Sequence, residues 1–249
     1  MKGRHPLEVQ GAKSEKRFLQ SRHQAVLGPL PTSIGFVAVS TAGKSSQMLH
    51  IANLLFPVMD RIFLFSHSHK LDPAWTDLKD REAARKITRG EHPDVHPFTF
   101  TSLNKLDQVV QEQVSRVMEA KETDEKHIPQ CLVILDDCLG DMQHSRTLDA
   151  LVTRGRHAGI SILASSQVYK GLSSAMRKNF ACWALGRLPA VDWRAFEDEH
   201  AGTYVTREQL RALWARALAK PYGFLFYRPR SGDPENMFWA SLTERLVPT

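Results

Sequence analysis

Five side chains carry most of the chemistry legible in this sequence: Lys44, Ser45, Asp136, Asp137 and Gln167. The first two stand in Ser40-Thr41-Ala42-Gly43-Lys44-Ser45-Ser46, between an apolar run and a segment of helical period. Small residues ending in Gly-Lys-Ser at a helix start gather backbone N–H groups and an ammonium in one place. That is how a polyphosphate is held. The full pattern, G-x-x-x-x-G-K-[ST], asks for glycine at position 38, and this chain has Ala38. Losing that glycine narrows backbone freedom where the loop turns. Two outcomes are open: impaired hydrolysis, or a loop that turns differently.

A phosphate loop works only with a metal ligand and a group that positions water. Leu132-Val133-Ile134-Leu135 reads as a buried strand, and Asp136-Asp137 emerges at its carboxyl end, where open α/β sheets bind ligands. Asp136 is expected to hold Mg²⁺ together with the Ser45 hydroxyl, and Asp137 to orient or deprotonate water. Gln167 directly follows Ile160-Ser161-Ile162-Leu163-Ala164-Ser165-Ser166, the next strand, and is placed to sense a γ-phosphate. Each motif alone has a plain alternative: two solvated carboxylates, or a surface glutamine capping a helix. Together with Gly43-Lys44-Ser45 they describe one nucleoside triphosphate site, with ATP and Mg²⁺ as the expected ligands.

Arg154-Gly155-Arg156 precedes that last strand. Two arginines around a glycine would project from the edge of the sheet, where one could reach a neighbouring subunit's γ-phosphate. Such a contact accelerates hydrolysis by ~10³–10⁵. The alternative is a solvated basic helix end that complements the helix dipole.

Other patterns fail on context. Asn104-Lys105-Leu106-Asp107 and Asp137-Cys138-Leu139-Gly140 fit guanine-nucleotide motifs, but in reversed order, and Asn104-Lys105 opens a helix. His67-Ser68-His69, His92 and His96 have no carboxylate or cysteine to complete a metal set.

The elements that must position these groups alternate strand-like and helical runs from Ile34 onward. That signals an α/β fold with a mainly parallel central sheet flanked by helices. Strands are expected at 34–39, 61–65, 98–100, 131–135, 159–164, 180–185 and 222–227. Helices are expected at 44–56, 77–86, from Leu103 through Val117, through Leu148 and Leu151, and from a Thr206-x-x-Gln209 capping box. The stretch 119–127 reads as a charged connection. Asp233-Pro234 predicts a last helix with Phe238, Leu242 and Leu246 inward. Residues 1–30, rich in lysine and arginine, read as a flexible basic arm, and 31–249 as one domain.

The chain has 249 residues, 42% hydrophobic, with a formal net charge of +6, enough for one large core. A basic surface favours a polyanion such as nucleic acid without requiring one. Cys131, Cys138 and Cys182 form no C-x-x-C pair, which points to a reducing, intracellular setting. No stretch approaches the ~18–20 apolar residues of a membrane span, and the N-terminus does not read as a secretory signal.

The run from Leu148 to Ile162, containing Thr153-Arg154-Gly155-Arg156-His157, with Gln167 and Ala175-Met176-Arg177-Lys178-Asn179 after it, resembles a particular family. These are the viral DNA-packaging ATPases of the poxvirus type, within the FtsK–HerA superfamily of DNA-pumping motors. Asp60-Arg61-Ile62-Phe63-Leu64-Phe65-Ser66, Leu213-Trp214-Ala215-Arg216-Ala217 and Tyr222-Gly223-Phe224-Leu225 are similar to its second strand and its closing helix and strand. Coverage runs over about residues 33 to 246. The resemblance implies a RecA-like P-loop core, a homo-oligomeric ring, and ATP-driven movement of double-stranded DNA into a preformed capsid. It also implies capsid partners, and Arg156 as the arginine acting in trans, with Arg154 and Arg177 as rivals. Two other functions fit parts of the pattern. One is a catalytically silent P-loop protein that binds DNA or capsid, which Ala38 favours. The other is a P-loop kinase of a nucleotide or small metabolite, against which stands the lack of an Arg-rich lid.

Overall fold

The computed structural model describes residues 18–123, 125–138, 145–202, 204–231 and 234–248. Nine strands form one sheet: β1 (Ser33–Val37), β2 (Arg61–Ser66), β3 (Thr99–Phe100), β4 (Cys131–Asp136), β5 (Ile160–Ser166), β6 (Cys182–Leu185), β7 (Leu225–Tyr227), β8 (Phe238–Trp239) and β9 (Arg245–Leu246). Their spatial order is β3-β2-β4-β5-β1-β6-β7-β8-β9. The first six are parallel, and β7, β8 and β9 extend the sheet antiparallel. The expected α/β architecture, a mainly parallel sheet flanked by helices, is present.

The central strands are buried at every position, six residues in β4 and seven in β5. A parallel strand covered on both faces has no wet side, so it reads as an unbroken apolar run rather than an alternation. On one face lie α1 (Gln24–Leu27), α2 (Lys44–Leu55) and α3 (Thr76–Thr88). Val26, Met48, Ile51, Leu55 and Leu78 pack there against Ile34, Phe36, Leu132 and Ile134. The other face carries α4 (Leu106–Glu122), α5 (Arg146–Arg154), α6 (Ser174–Asn179), α7 (Ala190–His200) and α8 (Arg207–Ala217). Leu106, Leu148, Leu151, Met176, Phe196 and Leu213 pack there against Val37, Val133, Leu135 and Ile162. The Thr206–Gln209 capping box opens α8 as predicted.

Connections leave β1 and β5 in opposite directions. The chain passes from β1 through α2 to β2 on one side, and from β5 through α6 to β6 on the other. A crevice therefore opens at the carboxyl ends of these two neighbours, the position at which such sheets bind ligands.

Three expectations need correction. Residues 18–30 are part of the body, not an arm: Val26 and Leu27 are fully buried, and the Gln20 side chain bonds both Leu30 backbone groups, at 2.9 and 2.8 Å. Residues 1–17 lie outside the described residues. The 119–127 stretch is helical through Glu122, because Val117 and Ala120 keep one face of α4 buried. The last helix does not form. Asp233 lies outside the described residues, and Pro234–Asn236 is a single 3-10 turn followed by the β8–β9 hairpin. Phe238 and Leu246 do point inward, but as strand residues: β8 pairs along the open edge of β7, and β9 pairs with β8. Backbone partners on a sheet edge outweigh a helical period of three residues.

Gly35 allows β1 its place in the sheet. A Cβ there would lie 2.6 Å from Trp183 Cζ3 and 2.9 Å from Phe180 Cδ2, so the two rings fill the space a side chain would take. Around it gather Tyr169, Phe196 and His200, with the Tyr169 and Trp183 ring centroids 5.3 Å apart. Burial pushes the His200 imidazole down to about 4, against the opposing pull of Glu199.

Two outcomes follow from this packing. Gly35→Ala overpacks the core and should cost about 1–3 kcal/mol, read as a lower urea midpoint at unchanged slope. His200 is neutral when folded and takes a proton more readily when unfolded. Its contribution is therefore complete above pH 6.5 and lost as pH falls toward about 4. Melting temperatures across that window should fall less steeply in His200→Phe than in the wild type.

Candidate active site

The loop that follows β1 is tied at its start to both neighbouring strands. Ala38 N–H donates to the Ser166 carbonyl at 3.3 Å, and Val39 N–H to the Arg187 carbonyl at 2.9 Å. Ser40, Thr41, Ala42 and Gly43 then turn into Lys44, Ser45 and Ser46, the first turn of α2. The turn uses left-handed backbone at Thr41 (φ +62°) and at Gly43 (φ +89°), the N-cap of α2. No side chain caps this helix, so the N–H groups of its first turn face the crevice without a side-chain acceptor. Lys44 folds over the loop, its Nζ donating to the Ala38 and Val39 carbonyls at 2.8 and 2.9 Å. Burial pulls its ammonium below the ordinary lysine range, and Asp136 and Asp137 pull it back up.

Ala38 departs from the loop pattern without strain. Its backbone does not lie in the left-handed region, so a Cβ is tolerated there. Room for the methyl comes from Gly186, just after β6, where a Cβ would stand only 2.7 Å from Ala38 Cβ. The glycine missing at 38 is matched by one across the sheet. This removes the feature that favoured a defective loop.

Asp136 is the centre of the site. It is only 3% exposed, and three donors hold its carboxylate: Ser45 Oγ at 2.8 Å and Trp75 Nε1 at 3.1 Å on Oδ2, and Ser165 Oγ at 2.8 Å on Oδ1. Ser45 Oγ and Asp136 Oδ2 are a hydroxyl–carboxylate pair of hard oxygens, a donor set that suits Mg²⁺ completed by phosphate oxygens and water. Asp137 is exposed beside it in left-handed backbone (φ +55°). Its N–H donates to Ser165 Oγ at 3.0 Å, and its Oδ1 accepts from Gln167 Nε2 at 3.2 Å. Sheet register brings these groups together: Leu135 lies opposite Ala164, and Val37 opposite Ser166. Beside the loop a cleft of about 320 Å³ opens between residues 39–42 and 218–223, with Arg187 in its wall.

The structure thus gathers Lys44, Ser45, Asp136, Asp137 and Gln167 at one sheet edge. The three arginines lie elsewhere. Arg154 and Arg156 are exposed at the amino end of β5, about 20 Å from its carboxyl end at ~3.3 Å per residue. Neither can serve its own chain's site. Arg177 is engaged internally, with its Nε 2.9 Å from Glu199 Oε1 and its Nη1 2.6 Å from the Leu172 carbonyl. Sequence reasoning missed Ser165, Trp75 and Gly186. A hydroxyl at the end of the apolar run 160–166 was a usable signal for Ser165; no spacing relates Trp75 to Asp136.

Residues 32–185 match the family model of the poxvirus A32 protein, a span from just before β1 to the end of β6. The chain belongs to that family. The matched residues include every group gathered at the sheet edge and all three arginines. The resemblance to poxvirus-type packaging ATPases is borne out, and the chain is a viral DNA-packaging ATPase by family. Among solved structures it is similar to the genome-packaging NTPase B204 of Sulfolobus turreted icosahedral virus 2 in complex with ATP-γ-S. That match has a TM-score of 0.55 and 13% identity over 88% of this chain and 98% of that one. The DNA-packaging ATPase B204 from Sulfolobus turreted icosahedral virus gives 0.53 and 15%, over 83% and 95%. EssC ATPases 2 and 3 from Geobacillus thermodenitrificans give 0.51 and 13%, over 87% of this chain and 40% of that one. At such identities the structural likeness speaks to the fold alone. No curated protein matches the chain in sequence.

If Ser165 holds both acidic residues in place, Ser165→Ala should lower nucleotide turnover by about 10- to 100-fold, as losses around a metal site do. Nucleotide affinity should change far less. Trp75→Phe, which removes one donor from Asp136, should give a smaller loss of the same kind. Steady-state turnover alongside equilibrium binding checks both.

Proposed function

We propose that this member of the A32 family hydrolyses ATP with Mg²⁺ at the β1–β4–β5 edge, and that a homo-oligomeric ring couples hydrolysis to the movement of double-stranded DNA into a preformed capsid. The observation that supports the reading most is the continuous hydrogen-bonded set Ser45–Asp136–Ser165–Asp137–Gln167 beside the phosphate loop. In this reading Gly43, Lys44, Ser45 and Ser46 bind the β- and γ-phosphates from the helix start, with Ser40, Thr41 and Ala42 shaping the loop. Ser45 and Asp136 hold the metal, which when bound neutralises charge on the phosphate oxygens. Asp137 orients the attacking water, and Gln167, which touches Asp137, reports the γ-phosphate to β5. The domain carrying this chemistry includes residues 18–30, whose Val26, Leu27 and Leu30 are part of its core.

Arg156, with Arg154 beside it, acts on the neighbouring subunit's nucleotide. Their exposure, their lack of an ion-pair partner among the described residues, and their distance from their own site support this. Arg177 ranks below them because Glu199 engages it. A ring built this way uses head-to-tail contacts, each subunit's arginine edge meeting the next subunit's phosphate loop. DNA is held chiefly through its phosphates, and capsid proteins dock the ring at an intracellular viral assembly site. Among the described residues no helix is long and apolar enough to cross a membrane.

Mg²⁺-dependent ATPase activity, measured with and without duplex DNA, tests the reading. Lys44→Ala, Asp137→Asn and Arg156→Ala should each reduce turnover at least about 100-fold. Mixing Lys44→Ala subunits with Arg156→Ala subunits should restore part of it, because intact loops then meet intact arginines. Wild-type turnover in both Lys44→Ala and Asp137→Asn would show that the site is misassigned.

A further inference from the structure

We infer that Tyr222 is the platform on which the base of the bound nucleoside triphosphate stacks, an inference that rests on the ATPase reading above. Tyr222 sits in a tight turn closed by Gly223 N–H donating to the Lys220 carbonyl at 3.1 Å. Pro221 occupies the second position and Tyr222 the third, with φ +56°. Glycine or asparagine is the usual residue there, because L side chains rarely adopt that backbone. Gly223 wedges the turn against the end of α8: a Cβ on it would fall 2.1 Å from the Ala217 carbonyl oxygen.

The turn itself does not need a tyrosine side chain. The Tyr222 side chain is 70% exposed, and its hydroxyl makes no hydrogen bond among the described residues. It does hold the ring beside the phosphate loop. Tyr222 Cδ1 lies 3.3 Å from where a Cβ on Gly43 would stand. Gly43 is the N-cap of α2, the point from which the phosphates are gripped. A tyrosine kept in strained backbone where glycine would serve, exposed and beside the phosphate loop, points to a role in binding.

The cleft adjoining the loop completes the picture. Ser40 and Thr41 form one side and Leu218 and Pro221 the other, with Tyr222 and Arg187 in its walls. A base leaving phosphates held at the start of α2 meets the Tyr222 ring there, within a lining of mixed polarity. A flat aromatic ring offers such a base its π-face without reading its exocyclic groups. The chemistry recognised is thus a nucleoside triphosphate held by phosphate at one end and by base stacking at the other.

Calorimetric binding to the full chain separates stacking from mere support of the loop. ATP and inorganic tripolyphosphate are compared on the wild type, Tyr222→Phe, Tyr222→Ala and Tyr222→Gly. Tyr222→Phe should keep ATP affinity within about twofold, while the alanine and glycine variants weaken it about tenfold, the scale of one lost base stack. Tripolyphosphate affinity should stay within about twofold in all four proteins. Tyr222→Gly suits the left-handed backbone, so its loss of affinity cannot be assigned to a turn that fails to form. Equal weakening of ATP and tripolyphosphate would make Tyr222 a prop for the loop and overturn the inference. So would unchanged ATP affinity in both the alanine and the glycine variants. A wild type that binds neither ligand overturns the phosphate-site reading, and the role of Tyr222 with it. A wild type that binds both, with ATP affinity insensitive to Tyr222, overturns only the latter.

Discussion

One buried carboxylate sets the terms for this molecule. Asp136 is almost wholly removed from water, and a buried carboxylate is costly unless donors replace the water it gives up. Those donors come from three different parts of the chain: Ser45 at the start of α2, Trp75 in the turn before α3, and Ser165 near the end of β5. Each can reach Asp136 only if its element is in place. Satisfying the carboxylate therefore ties the phosphate loop, the crossover after β2 and the strand beyond β4 into one arrangement. That arrangement is what catalysis requires: a hydroxyl and a carboxylate converging beside a helix start, with a second acid exposed next to them.

The same economy of placement appears at the loop. Phosphate loops commonly turn on a first glycine, yet Ala38 has ordinary backbone, and the left-handed residues are Thr41 and Gly43. What Ala38 needs is space for one methyl group, and Gly186 provides it from the strand on the other side of β1. Gly35 plays a similar part lower in β1, where the Trp183 indole occupies the room a side chain would take. Close approach between β1 and β6, rather than loop flexibility, explains these two glycines.

The arrangement also divides the sheet into two chemically different edges. Acids, loop and glutamine collect at the carboxyl ends, and Arg154 and Arg156 stand at the amino end of β5. Within the chain these groups stand about 20 Å apart, the length of one strand. The head-to-tail ring proposed above is an assembly in which such separated groups would meet.

Much of this was legible in the sequence because it depends on local patterns. An unbroken apolar run, 131–135, marked β4, a largely apolar one marked β5, Gly43-Lys44-Ser45 marked the loop, and Asp136-Asp137 and Gln167 stood at strand ends, where α/β sheets place function. The N-terminal residues 18–30 and the C-terminal hairpin were not legible. Basic composition suggested an arm and helical spacing suggested a helix, but burial of Val26 and Leu27 and the open edge of β7 decided otherwise. Sequence by itself determined the fold class, the loop, the acids and the family they belong to. Tertiary structure alone decided that Trp75 and Ser165 hold Asp136, that Gly186 makes room for Ala38, and that Tyr222 overlies Gly43. Those contacts join residues from 29 to 179 positions apart, and no short-range pattern encodes a contact that only the closing of the sheet brings about.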